Sequence, residues 1–309
     1  MDRQNTHRNK HYFDEVIPAF LTPEHLKNKD DNAANDTPHI IDVIDKAPVS
    51  AQNSASGKPK DFIIRESLHN AVTHEHIDLF MQPTVSLPQR HIKFYEFYGR
   101  LRIKPGQYIP AQDYMPLASE EHIVNQLDTL LFASCLKVIK KQQRKYNLVP
   151  PCFINIKPYT LRDRVFMNNL LQLLSRHKNI AYTLVFEMHY NDFLMLSPAE
   201  KKILEGLAKA GCRFSVDHVD KIPDDVKYLR ARRVSFVKME TKTLLRDGKT
   251  ERGFSELLQK KHNLEVNGID IIAEKTESEN DLKEILDFDI KYGQGFLFGR
   301  PDFQGVYTA

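Results

Sequence analysis

From Asp61 onward, short apolar runs of strand length alternate with longer stretches whose apolar residues recur at helical spacing. This alternation is the feature that most narrows the folds open to the chain. Strand-like runs stand at LFMQPTVS, IKFYEFYGRLR, CFINI, YTLVFEM, RFSVDH, SFVKME, IDIIAE and the shorter YGQGFLF, eight in all. A helix around Ile64 to Val72 leads into the first of them. Between the runs lie helical stripes: Leu127, Leu130, Leu131, Cys135 and Val138, then Phe166, Leu170, Leu173 and Leu174, then Ile203, Leu204 and Leu207. Later stripes are Phe254, Leu257 and Leu258, and finally Leu282, Ile285 and Leu286. Eight strands with helices between them predict an α/β chain folded as a TIM-like (β/α)8 barrel. A doubly wound open sheet gives a similar string, although neither a GxGxxG nor a Walker A loop is present to support a nucleotide-binding open sheet.

Residues 1–60 read differently. They are rich in Asn, Asp, Lys, Pro and Ser, and APVSAQNSASGKPK has the composition of a linker. The expectation is a mostly disordered N-terminal arm over 1–60 and one barrel domain over 61–309, with Phe13, Ile17, Phe20 and Leu21 as a candidate docking segment within the arm. The balance of 44 basic against 41 acidic residues gives a net charge of only +3, which provides no electrostatic footprint for polymeric nucleic acid. Cys135, Cys152 and Cys212 are far apart and form no CxxC, so neither a disulfide framework nor a zinc ribbon is predicted. No apolar run approaches the roughly 18 to 20 residues that span a bilayer, and MDRQNTHRNKHYF lacks the apolar stretch of a signal peptide. A cytoplasmic protein with no membrane insertion is expected.

In a barrel, chemistry gathers at the C-terminal ends of the strands, so the informative residues are polar groups that interrupt strand-like runs. Glu96 interrupts KFYEFYG, Asn155 interrupts CFINI, Glu187 ends TLVFE, Asp217 ends RFSVD, Lys238 interrupts SFVKM and Glu274 ends IIAE. Any one of these is readily a satisfied polar group at a strand end, but six in successive strands form a pattern. Carboxylates with an amide suit a hard cation, Mg²⁺ or Mn²⁺, rather than zinc. A lysine beside such a metal orients or deprotonates an attacking water. Metal-assisted phosphoryl chemistry follows as the reaction class.

The order and spacing of these groups resemble an EAL domain over about residues 62 to 303. The Glu of the family tripeptide falls on Glu96 within YEFYGRLR, and the phosphate-contacting Arg on Arg100. Gln82 and Pro83 match the QP pair of the first strand, and IPAQDYMPLASEEHIVNQLD stands in place of the family's I-x-P-x-x-F-I-x-x-A-E segment. Asn155 of INIKP, Glu187 of FEMHY and Asp217 match the family's metal-binding Asn, Glu and first Asp of DDFGTG, and Lys238 its K-I-D lysine. AEKTE, with Glu274 and Glu277, stands where the family has AEGVE, and QGFLFGRP, with Gln294 and Pro301, matches its ending. The opening QPTVSLPQRHIKFYE is similar to the flagellar TipF-type receptors within the family.

The resemblance implies a cyclic di-GMP site with Gln82, Arg100, Glu274, Glu277, Gln294 and Pro301 as ligand contacts. Glu96, Asn155, Glu187 and Asp217 are its implied metal ligands, with Lys238 and Glu274 catalytic if the domain is active. It does not carry over activity, because the second Asp of DDFGTG is His218 and the loop after it reads VDKIPDD. Two divalent ions about 4 Å apart repel by roughly 17 kcal/mol at an effective dielectric near 20, before ligands neutralise them. Exchanging a carboxylate for neutral imidazole removes one charge from that neutralisation and offers Mg²⁺ a poor ligand, although His218 would suit Mn²⁺ or Fe²⁺ better. Losing even ~4 kcal/mol of transition-state stabilisation lowers a rate about a thousandfold. The tripeptide itself is Glu96, Phe97, Tyr98, with Phe97 expected to face the helices and Tyr98 the pocket, and the family's EITE-like segment reads EMHY, with His189 and Tyr190.

The leading expectation is a degenerate EAL domain acting as a cyclic di-GMP receptor that signals to a protein partner, with doubtful occupancy of a second metal position. An active phosphodiesterase releasing linear pGpG is the alternative, and a non-binding interaction scaffold is the third reading. Family members dimerise through the region of the DDFGTG loop, so its replacement leaves the oligomeric state open.

Overall fold

The computed structural model describes residues 57–74, 77–104, 106–146 and 151–303. The candidate docking segment around Phe13 to Leu21 lies outside the described residues. A helix over Gly57–Thr73 leads into nine strands. These are β1 (Asp78–Ser86), β2 (Ile92–Lys104), β3 (Gln107–Pro110), β4 (Cys152–Asn155), β5 (Leu184–His189), β6 (Arg213–Asp217), β7 (Val234–Glu240), β8 (Asp270–Glu274) and β9 (Tyr292–Gln294). Their order is β1-β9-β8-β7-β6-β5-β4-β2-β3, and β1 also pairs with β2, which closes eight of them into a barrel. The open-sheet reading falls with that closure.

Each helical stripe falls on an observed helix, and the barrel runs sit where the alternation placed them. Two features depart from a regular TIM barrel. β1 runs antiparallel to both β2 and β9, while β2, β4, β5, β6, β7, β8 and β9 follow one another in parallel. The cause is length: Leu87–His91 is enough for a hairpin, whereas a parallel crossover needs about a dozen residues. β3 is an added strand paired only with β2, and QYIP is too short and too close to proline to carry an alternation signal.

The last strand is shorter than YGQGFLF, because the chain turns away after Gln294. Gly295 lies against the backbone of Thr276, where a Cβ would stand 2.1 Å from the carbonyl oxygen. Only glycine lets the exit of β9 approach the AEKTE turn this closely.

Capping residues set where the outer helices begin. Asp163 caps Arg164–Arg176, and Ser197 with Glu200, and Ser278 with Asp281, form capping boxes on Pro198–Ala210 and Glu279–Asp287. The main core lies between the barrel wall and these helices, and Phe97 is buried in it, facing the helices as its strand position requires. A second apolar cluster packs Ile64 and Leu68 of the first helix against Leu101 and Ile109. A third fills the barrel itself: Phe94, Phe153, Val185, Phe236 and Ile272, with Tyr292 against them. Its rings meet edge to face or tilted at centroid distances of 5.0 to 6.1 Å. Among the described residues no helix is long and apolar enough to cross a membrane. The three cysteines are buried.

Candidate functional site

Side chains two apart on a strand share a face, so the residues that follow the apolar plug also point into the barrel. Phe94 is followed by Glu96, Phe153 by Asn155, Val185 by Glu187, Phe236 by Lys238, Ile272 by Glu274 and Tyr292 by Gln294. The plug is thus a dry floor beneath a layer of polar groups at the C-terminal ends of the strands.

Lys238 is the centre of that layer. Its Nζ lies 2.5 Å from Glu96 Oε2, 2.7 Å from Glu187 Oε2 and 3.5 Å from Glu274 Oε1, and 4.7 Å from the centroid of the Phe153 ring. The side chain is 0% exposed, and Glu96 is 4% exposed. Burial alone would lower the lysine pKa, but Glu187, Glu96 and Glu274 together hold it well above its usual value. In this arrangement the Lys238 ammonium orients its carboxylate partners and donates a hydrogen bond to Glu96. Burial and the charge of Glu96 push Glu187 upward against the pull of Lys238, and burial does the same to Glu274.

Around this centre the amides close the layer. Gln294 Nε2 donates to Glu96 Oε2 at 2.9 Å, and Asn155 Nδ2 donates to Glu96 Oε1 at 3.4 Å. Gln82, opposite Glu96 in the hairpin register, donates to the Gly299 carbonyl at 3.0 Å and accepts from the Tyr98 hydroxyl at 3.2 Å. Tyr98 therefore points inward, and its hydroxyl is spent on Gln82. Arg100, next on the same face, sits with its guanidinium 5.9 Å from the Phe80 and the Tyr98 ring centroids.

The β6 side of the mouth is built differently. Asp217 Oδ2 lies 2.7 Å from His218 Nδ1, and Asp217 Oδ1 accepts the His218 backbone N–H at 2.5 Å. His218 has a left-handed backbone, φ 55°, is 60% exposed, and stacks on the His189 ring at 4.9 Å. Its ring is turned onto its neighbour's carboxylate and is not in contact with Glu96 or Glu187. Burial would raise Asp217, but the His218 hydrogen bond, the Lys238 charge and a hydrogen bond with Glu274 overcome it and hold Asp217 well below the usual carboxylate range. The His218 pKa is raised by the same bond, against burial.

Of the sequence candidates, the structure gathers Gln82, Glu96, Asn155, Glu187, Lys238, Glu274 and Gln294 into one layer, with Arg100 at its edge and Asp217 joined through Glu274. Glu277 is not brought in: it is exposed, and its backbone N–H donates to Asp281 at a helix start. Pro301 lies on the segment between Gly299, which receives Gln82, and Asp302, which bridges to Met81. Sequence reasoning passed over Glu240 and Lys275, whose side chains form an ion pair at the same rim. Lys275 stands where AEGVE has glycine, and that exchange was the available signal.

By type the donors suit one hard cation, although their side chains are not gathered as a ligand set in this structure. Glu96, Asn155, Glu187 and Asp217 offer oxygens, and the buried Glu187 Oε1 has no hydrogen-bond partner. With Lys238 among them, no group of three or more His, Cys, Asp or Glu among the described residues is arranged to hold a metal.

The family model described as EAL domain matches residues 65–301. The chain is 24% identical over 232 residues to cyclic di-GMP phosphodiesterase PdeA of Borreliella burgdorferi, covering 75% of this chain and 34% of that protein. It is 22% identical over 236 residues to cyclic di-GMP phosphodiesterase PdeF of Escherichia coli, covering 76% of this chain and 31% of that protein. The chain thus spans about a third of the length of these relatives. In structure it is similar to the Xanthomonas citri FimX EAL domain in complex with c-diGMP, with TM-score 0.67, 15% identity, and coverage of 79% of this chain and 95% of that one. It is also similar to the PaMucR phosphodiesterase in complex with c-di-GMP, with TM-score 0.64, 19% identity, and coverage of 77% and 96%. At these identities the two likenesses establish the barrel fold.

Proposed function

The chain belongs to the EAL domain family, and from that premise we propose that its barrel mouth binds cyclic di-GMP as a receptor that signals to a protein partner, with hydrolysis lost or weak. The observation that carries this reading is the contrast within the mouth. The inner layer around Lys238 keeps its amides and carboxylates in contact, while both oxygens of Asp217 are engaged by His218. Binding a dianionic dinucleotide needs cationic and amide contacts, whereas turnover also needs the carboxylates free to hold metal.

Arg100, half-buried and backed by two rings, offers a pre-oriented guanidinium to a phosphate. The amides of Gln82 and Gln294 are held in fixed orientations by Gly299 and Glu96. A Mg²⁺ or Mn²⁺ ion would be held by Glu96, Asn155, Glu187 and Asp217, and when bound it would neutralise phosphate charge and polarise the phosphodiester.

Calorimetric titration of the full chain with cyclic di-GMP in Mg²⁺ buffer tests the reading. Saturable heat near one equivalent is expected, and no heat from folded protein at tens of micromolar would sink it. A phosphodiesterase is the second reading, favoured by the unpartnered Glu187 Oε1 beside a fixed ammonium. It requires that the protein release pGpG and that Glu96→Ala abolish this.

A further inference from the structure

Lys275 stands on a left-handed backbone, φ 53°, immediately after the last carboxylate of the inner layer. For a side chain with a Cβ that conformation is unfavourable, and glycine would adopt it without strain. A strained residue persists where its surroundings hold it, and here the holding contact is an ion pair between the Lys275 ammonium and Glu240, the residue that ends β7. Glu240 pairs in register with Glu274 across β7 and β8, so the ammonium sits over the outer edge of the carboxylate layer. Its charge acts on Glu240, Glu274 and Asp217 together. His218 engages both oxygens of Asp217 at the same rim.

Glu240, Asp217 and Glu274 therefore each have a cationic partner within the chain. Deeper in, the buried Glu187 Oε1 and Gln294 Oε1 have no hydrogen-bond partner, so unmet acceptor capacity remains at the inner position. We infer that Lys275 is a built-in cation that occupies the electrostatic place of a divalent ion at the outer rim, excluding a second metal there. The inference rests on reading the mouth as a metal-capable site, but it needs neither nucleotide binding nor turnover.

Charge is the whole of the effect, so the substitutions separate charge from shape. Lys275→Gln removes the charge, Lys275→Gly also relaxes the backbone, and Lys275→Arg keeps the charge. The probe is Mn²⁺ alone, added to the full chain without nucleotide and followed by the loss of the free-ion paramagnetic signal. Lys275→Gln and Lys275→Gly should bind Mn²⁺ at least tenfold more tightly than the wild type or take up an additional equivalent, and Lys275→Arg should match the wild type. Thermal melting of each variant establishes that it is folded, and Lys275→Gly should melt no lower than the parent.

Equal Mn²⁺ binding by wild type and the two charge-removing variants overturns the inference, as does no Mn²⁺ uptake by any folded form. A gain in Lys275→Arg equal to that in Lys275→Gln also overturns it, because shape and not charge would then control the rim. Failure of the receptor reading would appear instead as absent heat with cyclic di-GMP, whatever the Mn²⁺ result.

Discussion

Two ion pairs at the barrel mouth look alike in distance and differ in everything else. Lys238 and Glu96 meet at 2.5 Å with exposures of 0% and 4%, on strands, above an aromatic floor. His218 and Asp217 meet at 2.7 Å with exposures of 60% and 15%, at a strand end followed by a loop. A buried pair is stable only if each charge stays matched, because losing one partner leaves an uncompensated charge in low dielectric. A pair at the rim is screened by water and tolerates exchange. The inner wall is therefore where a lost partner costs most, and the rim, where His218 meets Asp217 and Lys275 meets Glu240, is where exchange is tolerated.

The comparison breaks if removing Lys238 is harmless. Lys238→Met should lower stability by about 3 to 5 kcal/mol in urea unfolding, since Glu96 and Glu187 would be left without their cation. A loss under ~1 kcal/mol would mean that the pair is not what organises the layer.

A second test concerns the support of the inner wall. Asp128 is half-buried and accepts a hydrogen bond from Thr160, on the turn that follows the Asn155 strand. Burial, opposed by the Thr160 bond, pushes its pKa up to about 6. A carboxyl raised above its ordinary value of 3.8 contributes stability below that value and loses it as pH rises through about 6, a total of about 3 kcal/mol. Wild-type stability should fall over that window, and Asp128→Asn should flatten the slope. Parallel pH profiles for the two proteins would remove Asp128 from the account.

Smaller effects sharpen the contrast. Arg100→Ala should weaken cyclic di-GMP binding about tenfold with little change in melting temperature, because its guanidinium is held against the Phe80 and Tyr98 rings. His218→Ala should change stability by less than about 1 kcal/mol, as suits an exposed pair. A larger loss would place His218 with the inner wall.

The inner layer was legible in the sequence because a carboxylate, amide or lysine inside an apolar run has few innocent explanations when it recurs strand after strand. Glu96, Asn155, Glu187, Lys238 and Glu274 were all visible in this way, and the plug beneath them follows from period-two alternation. Other parts were hidden for physical reasons. The reversed β1 depends on loop length and not on strand composition. The contact of Gln82 with Gly299 spans 217 residues of chain and carries no local signature. Thr160 and Asp128 read as ordinary polar positions near helix ends. Lys275 reads as a surface lysine until its backbone angle and its pairing with Glu240 are known.

On the receptor reading, the rim's internal cations separate binding from turnover. Incubation with cyclic di-GMP and Mn²⁺ followed by chromatography, run in parallel on the wild type and on the His218→Asp, Lys275→Gly double variant, tests it directly. The account predicts that the wild type returns intact dinucleotide or only traces of pGpG, and that the double variant forms pGpG at least tenfold faster. Wild-type release of pGpG at a rate that the double variant does not exceed would contradict it.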